Sequence, residues 1–345
     1  MKKHYISRPD PIVITATAPT RIDLAGGTLD IFPLYLFEGG GLTINLAVNL
    51  RSRVEIKTRR DRRIRILSED LNLVQEAESL DSLSPDGPLS LAARAVRFYR
   101  PSCGFELTTC NTAPPGSGLG ASSSLLIAIC GALGKLTGEE PPKHELVDWA
   151  ANLEAQILGI PTGKQDYYAA LCGGLNAIWF TERGITLEAL VAEAAGLSVL
   201  AGWMILSFTG ISHFSGTNNW AMMKRYIDRE KAAVEGLRGI RRTAIMMRER
   251  LLEGDFLSVA ESLREEWDLR KNLADGVTNE KIETIIGAAA QAGSLASKIC
   301  GAGGGGCLLT MAPPEKRNGI IEALRGAGAE ILDFEPEKSG LTVEA

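Results

Sequence analysis

Glu154 and Asp166 flank the turn GIPTGKQD, Gly159 to Asp166, so one carboxylate can hold a metal ion while the other handles a proton. The plainer arrangement is an ion pair of Asp166 with Lys164 and a Glu154 left at a helix end. Arg21, Asp23 and Asp30 are charges set among apolar residues and glycines in TRIDLAGGTLD, Thr20 to Asp30. Charges in such settings either pair with one another or face a ligand. Between these groups lies TAPPGSGLGASSSLLIAICGALGKL, Thr112 to Leu136. Pro114 and Pro115 bar a helix there, and Gly116, Gly118 and Gly120 let a backbone curl close to a ligand. Ser122, Ser123 and Ser124 then open an apolar run long enough for a helix. Loop amides, a helix N-terminus and hydroxyls together make a cradle for a phosphate and its metal. A Gly/Ser turn that merely caps a buried helix is the bland alternative.

The loop fits neither common phosphate fingerprint. A Walker A loop needs Lys followed by Ser or Thr after its last glycine, whereas Gly120 is followed by Ala121 and Ser122. A dinucleotide loop reads G-x-G-x-x-G, and this one reads G-x-G-x-G.

Positioning these groups calls for a strand before the loop and helices after it. Phe105 to Thr109 reads as that strand, and Leu89 to Tyr99 as the helix before it. Lys143 to Leu158 carries Leu146, Trp149, Ala150 and Leu153 at helical spacing and brings Glu154 to its last turn. Ile12 to Ala18 reads as a first strand ending at Pro19, and Leu42 to Val48 as a second. Arg51 to Arg65 is basic, but Val54, Ile56, Ile64 and Ile66 alternate within it, which predicts a hairpin with one solvated face. Further strands are expected at Leu175 to Phe180 and Trp203 to Phe208. The polar loop Ser212 to Trp220 follows, then helices to Leu252, Phe256 to Leu273 and Asn279 to Ala292. Lys298 to Pro313, KICGAGGGGCLLTMAP, is glycine-rich before a strand, a mark of close backbone approach.

At 345 residues the chain exceeds one typical core. We divide it into residues 1–190 and 191–345. An apolar share of 45% and a charged share of 23% are ordinary for a globular protein. The net charge of −5 argues against general nucleic-acid binding. Six cysteines without a C-x-x-C pair read as free thiols in a reducing cytoplasm. With three histidines, a multi-histidine metal site is not expected. No apolar run reaches the ~18 residues of a membrane span.

Taken in order, APTRIDLAGGTLD, PPGSGLGASSS and GAGGGGC resemble the three motifs of the GHMP kinase superfamily, from Ala18 to Leu309. The first motif and GKQDYYAA, Gly163 to Ala170, are most similar to the branch that phosphorylates D-glycero-D-manno-heptose 7-phosphate. The resemblance implies an α+β fold: an N-terminal ribosomal-S-five-like α/β domain and a C-terminal ferredoxin-like α+β domain, with ATP in the cleft between them. It implies that Pro115, Gly116, Ser117, Gly118, Leu119, Gly120, Ala121, Ser122 and Ser123 hold the ATP phosphates. Ser122 and Glu154 fall where the family binds Mg²⁺, and Asp166 where it has its catalytic aspartate. Arg21 would lower the pKa of Asp166 and offset charge on the γ-phosphate. Asp30, Gly26 and Gly27 would meet the acceptor sugar or sugar phosphate, with His213, Asn218 and Asn219 as further contacts. The third motif would pack beside the phosphate loop. Galactokinase, fucokinase and mevalonate-type activities stay open, as does a nucleotide-binding regulator without turnover or, outside the family, a dinucleotide-dependent dehydrogenase. The implied assembly is a monomer or homodimer.

Overall fold

The computed structural model describes residues 11–191, 193–212 and 215–345. Its elements run β1 (Val13–Ala25), α1 (Leu34–Phe37), β2 (Gly41–Thr58), β3 (Ile64–Ser68), β4 (Leu73–Ala77), α2 (Ser90–Tyr99) and β5 (Phe105–Asn111). Then come α3 (Ala121–Thr137), α4 (Lys143–Leu158), α5 (Gln165–Cys172), β6 (Leu175–Thr181), β7 (Gly184–Val191), α6 (Ala194–Gly202) and β8 (Met204–Phe208). The rest comprises α7 (Ser215–Ile227), α8 (Lys231–Glu253), α9 (Phe256–Arg270), α10 (Glu280–Gln291), β9 (Ala296–Ile299), β10 (Cys307–Met311), α11 (Arg317–Gly326), β11 (Glu330–Leu332) and β12 (Thr342–Glu344).

The first half builds on an eight-stranded sheet in the order β12-β1-β2-β5-β3-β4, with β6 and β7 attached to the other end of β2. Strand β2 is long enough to serve both arms: Gly41 to Leu46 pairs with β6, and Ser52 to Thr58 pairs with β5. Against expectation β1 does not stop at Pro19. It bends there through an irregular register and continues to Ala25, carrying Arg21 and Asp23 within the strand. A bend of this kind tolerates the missing proline donor.

The expected basic hairpin is not formed. Strand β5 lies between β2 and β3, pairing antiparallel with the first and parallel with the second. Alternation fixes which face is buried but not which strand is the neighbour. The solvated-face reading does hold: Arg53 pairs with Glu55, Arg59 with Asp61, Arg63 with Glu78, and Arg65 with Glu76 and Glu106.

Helix α3 is apolar on nearly all sides and is buried as such helices must be: Leu126, Ile127, Ala128, Ile129 and Leu133 have no exposed surface. It therefore forms a rigid spine behind the glycine-rich loop. A second sheet, β11-β8-β10-β9, carries the other core with α8, α9 and α10. The last strand, β12, returns to pair with β1, so the first sheet draws its edge from beyond residue 190. Among the described residues no helix is long and apolar enough to cross a membrane.

Candidate active site

The loop from Gly116 to Gly120 ends where Gly120, at φ 73°, caps α3 in a left-handed conformation. A Cβ on Gly120 would lie 3.0 Å from the Asp166 carboxyl group, so glycine is what lets the loop touch that acid. Helix α3 begins without a side-chain cap, which leaves its first-turn amides for an anion. The third motif packs against the same loop: the Cys307 amide donates to the Ser117 carbonyl at 2.7 Å.

Asp166 lies in the first turn of α5, and Arg21 reaches it from β1. Arg21 Nε donates to Asp166 Oδ1 at 2.8 Å, and Arg21 Nη1 donates to the Gly118 carbonyl at 2.6 Å. One guanidinium thus holds both the acid and the loop. Lys164 is not the partner of Asp166; it pairs with Asp148 at 2.5 Å. Burial pushes the Asp166 carboxyl above the usual carboxylate range, and the Arg21 charge only partly opposes this. Arg21 does lower the Asp166 carboxyl, through its charge and its hydrogen bond, as expected; the net direction is nevertheless upward, because desolvation outweighs the ion pair.

Glu154 is buried near the end of α4. Its Oε1 accepts from Ser122 Oγ at 2.6 Å, and its Oε2 accepts from Ser123 Oγ at 3.1 Å and from the Tyr167 hydroxyl. No salt bridge involves Glu154 among the described residues, and burial raises its carboxyl despite the three hydroxyl donors. A buried carboxylate with hydroxyls but no cation fits a bound divalent ion. The donors at hand, a carboxylate and a serine oxygen, are hard oxygens of the kind Mg²⁺ takes. Among the described residues no group of three or more His, Cys, Asp or Glu could hold a metal, so phosphate and water would complete the shell.

Asp30 lines the same cavity, which has a volume of about 370 Å³. Its Oδ2 accepts from the Gln165 amide at 3.0 Å. Burial, opposed by that amide and reinforced by Asp166, pushes the Asp30 carboxyl up to about 6. A carboxyl raised in the folded state favours folding below its unfolded pKa and loses that advantage as pH rises through 6. Asp30→Asn is therefore expected to stabilise the protein by about 3 kcal/mol at pH 8. Near pH 4 it should change the melting temperature little. Thermal melts at the two pH values check this, and equal shifts at both would contradict it.

Gly27, Ser117, Gly118, Ala121 and Ser123 line this cavity as expected, but four predicted contacts do not: Gly26, Leu119, Asn218 and Pro115, which lines an adjoining cavity. Gly26 packs on the β2 backbone at Leu42 and Thr43. The Leu119 side chain enters the core while its carbonyl accepts from the Arg21 amide. Asn218 is buried, with its amide given to the Gly276 and Ala302 carbonyls, whereas Asn219 lines the cavity as expected. His213 falls outside the described residues.

A second cavity of about 330 Å³ adjoins the first, sharing Gly116, Ala121, Ser122 and Glu154. Pro115, Leu71, Leu89 and Leu125 give it apolar walls, and Asp70 and Asn111 a polar edge. Sequence reasoning missed this cavity and Tyr167. The one signal for Tyr167 was its place beside Asp166.

Two family models match the chain: the GHMP kinases N terminal domain over residues 89–174 and the GHMP kinases C terminal domain over residues 247–330. A D-glycero-alpha-D-manno-heptose 7-phosphate kinase of Campylobacter jejuni is 31% identical over 334 residues, 95% of this chain and 98% of that protein. The chain belongs to the GHMP kinase family. Its fold is accordingly the α+β GHMP kinase fold, and its chemistry is ATP-dependent phosphoryl transfer. A crystal structure of a D-glycero-D-manno-heptose 1-phosphate kinase from Bacteroides thetaiotaomicron superimposes with a TM-score of 0.79 at 28% identity, covering 96% of this chain and 99% of that one. A mevalonate kinase of Pyrococcus furiosus is 25% identical over 96% of this chain and 98% of its own length.

Proposed function

We propose that this GHMP kinase transfers the γ-phosphate of ATP to a hydroxyl of a sugar phosphate, with a heptose 7-phosphate as the leading acceptor. The protein is an ATP-dependent sugar kinase. The observation that carries the reading is the contact of Arg21 with both Asp166 and the phosphate loop, at the edge of a cavity that Asp30 shares.

In this reading the loop amides from Gly116 to Gly120 and the first turn of α3 bind the triphosphate, and the adjoining apolar cavity takes adenine and ribose. Ser122 and Glu154 would hold Mg²⁺, which when bound neutralises charge on the phosphates. Asp166 accepts the proton of the attacking hydroxyl, or holds that hydroxyl by a hydrogen bond, while Arg21 faces the charge that grows on the transferred group. The raised Asp166 carboxyl means that activity should climb with pH as that group ionises. Asp30 and the backbone at Gly27 take sugar hydroxyls.

Both arginines lining the acceptor cavity, Arg21 and Arg270, are already paired with acids. The acceptor's own phosphate is therefore placed towards the mouth, with the hydroxyl-bearing end inward. The similarity to heptose phosphate kinases supports this acceptor over galactose, fucose or a mevalonate-type alcohol. Convergence of Arg21, Ser122, Glu154 and Asp166 supports turnover over a purely regulatory binder. Six free thiols support a cytoplasmic setting, and the active unit is read as a monomer or homodimer.

A panel of acceptors, assayed by acceptor-dependent ADP release, tests the substrate. The names of the two heptose relatives put the phosphate at opposite ends of the sugar, so both heptose phosphates belong in the panel. Heptose 7-phosphate should give the highest kcat/KM; a higher value for galactose, fucose or mevalonate would overturn the assignment.

A further inference from the structure

Four charges with no solvent exposure lie beneath the first motif: Asp23, Glu266, Arg270 and Lys298. They come from three elements, β1, α9 and β9, and join the two halves of the chain. Lys298 Nζ donates to Asp23 Oδ2 at 2.9 Å and to the Asp23 carbonyl at 3.1 Å, and stands 3.5 Å from Glu266 Oε2. Arg270 Nε and Nη2 donate to Glu266 Oε1 at 2.8 and 2.5 Å. The same guanidinium then reaches the first motif, donating through Nη2 to the Gly27 carbonyl at 2.8 Å and through Nη1 to Thr28 Oγ1 at 3.2 Å.

Two acids and two bases balance, so the cluster is neutral. Stability alone does not account for it, because buried ion networks often can be replaced by packed apolar residues at no loss. What the cluster does is geometric. It fixes the main chain at Asp23 and Gly27, between Arg21 on one side and Asp30 on the other. The packing is close: a Cβ on Gly27 would lie 2.9 Å from Asp23 Oδ2 and 3.2 Å from both Arg270 Nη2 and Gln165 Nε2. Gln165 is in turn the residue before Asp166, and its amide binds Asp30.

We propose that Arg270 and Lys298 are positioning residues for the acceptor: from the second half of the chain they hold the Asp23–Thr28 backbone so that Asp30 and Arg21 meet the sugar at a fixed spacing. The inference rests on the kinase reading above. It places acceptor recognition under control of the second half. None of the four charged groups hydrogen-bonds the loop from Gly116 to Gly120, so the nucleotide cradle, built on α3, touches the cluster only through neighbouring backbone.

Arg270→Lys keeps the charge and loses the fork that spans Glu266 and Gly27. The acceptor KM should rise about tenfold or more, whereas the Kd for a non-hydrolysable ATP analogue should stay within about twofold. As a second route, Glu266→Gln with Lys298→Met removes one charge of each sign, leaves Asp23 opposite Arg270, and should show the same acceptor-selective rise. A lowered melting temperature with acceptor KM unchanged in either folded variant would overturn the proposal. So would an equal loss of ATP and acceptor binding. If the wild-type protein turned over no sugar acceptor, the kinase reading would fail before any variant was compared.

Discussion

Asp166→Ala should keep nucleotide affinity within about twofold of wild type and lower kcat by about a thousandfold or more. The carboxyl group touches the phosphate loop only through the contact at Gly120 and the Arg21 bridge, so the loop and the α3 amides survive its removal. What disappears is the acid beside Gly120 that is paired to a guanidinium and faces the cavity shared with Asp30. In phosphoryl transfer, positioning and charge supply most of the acceleration, and the loss of a hydroxyl-orienting acid removes both for the acceptor. Single-turnover transfer, measured beside ATP-analogue binding, separates these effects. Near-normal turnover in the alanine variant would remove Asp166 from the reaction. Loss of nucleotide binding alongside turnover would make its role structural.

The second large effect is expected at Glu154. Changing Glu154→Gln keeps the volume and acceptor oxygen but removes the charge that three hydroxyls now surround. Half-maximal activity should then require at least about tenfold more Mg²⁺, because a divalent ion loses its charged protein ligand. Tyr167→Phe should shift the same titration less, since it removes a donor and leaves the carboxylate. Burial raises the Glu154 carboxyl, so Mg²⁺ affinity in the unmodified protein should weaken as pH falls and the group protonates. Direct Mg²⁺ binding in the presence of an ATP analogue, followed by calorimetry across pH, checks both statements. An unchanged titration in the glutamine variant would take Glu154 out of the metal site.

Much of this arrangement is legible in the chain because it depends on local chemistry. The helix at Lys143 to Leu158 follows from its apolar spacing, with the bounds that the structure has. The cradle helix follows from its glycine stop and its continuous apolar run. Convergence of Arg21, Ser122, Glu154 and Asp166 is legible only through resemblance to a family, because spacing alone leaves ion pairing as an equal alternative.

What cannot be read is long-range. Strand β5 inserts between β2 and β3, and no alternation pattern encodes that neighbour. Lys298 meets Asp23 across 275 residues, so each looks like an isolated charge beside glycines. Arg270 lies inside a helix whose outward appearance is charged, and only packing shows that its end is buried. The net effect of burial on Asp166 is also out of reach, because desolvation depends on walls contributed by distant segments. Asn218 illustrates the reverse error: a polar side chain in a polar loop reads as a ligand contact, and it ties two backbone carbonyls together instead.

The claim that the acceptor hydroxyl attacks the γ-phosphate directly, with Asp166 as proton acceptor and not as a covalent carrier, has one most direct measurement. It is the stereochemical course at phosphorus, followed with ATP made chiral by isotopic and sulfur labelling of its γ-phosphate. Inversion of configuration in the sugar product is the expected result. Retention would mean two displacements through a phosphorylated side chain, and would contradict both Asp166 as proton acceptor and Arg21 as the charge that faces the transferred group.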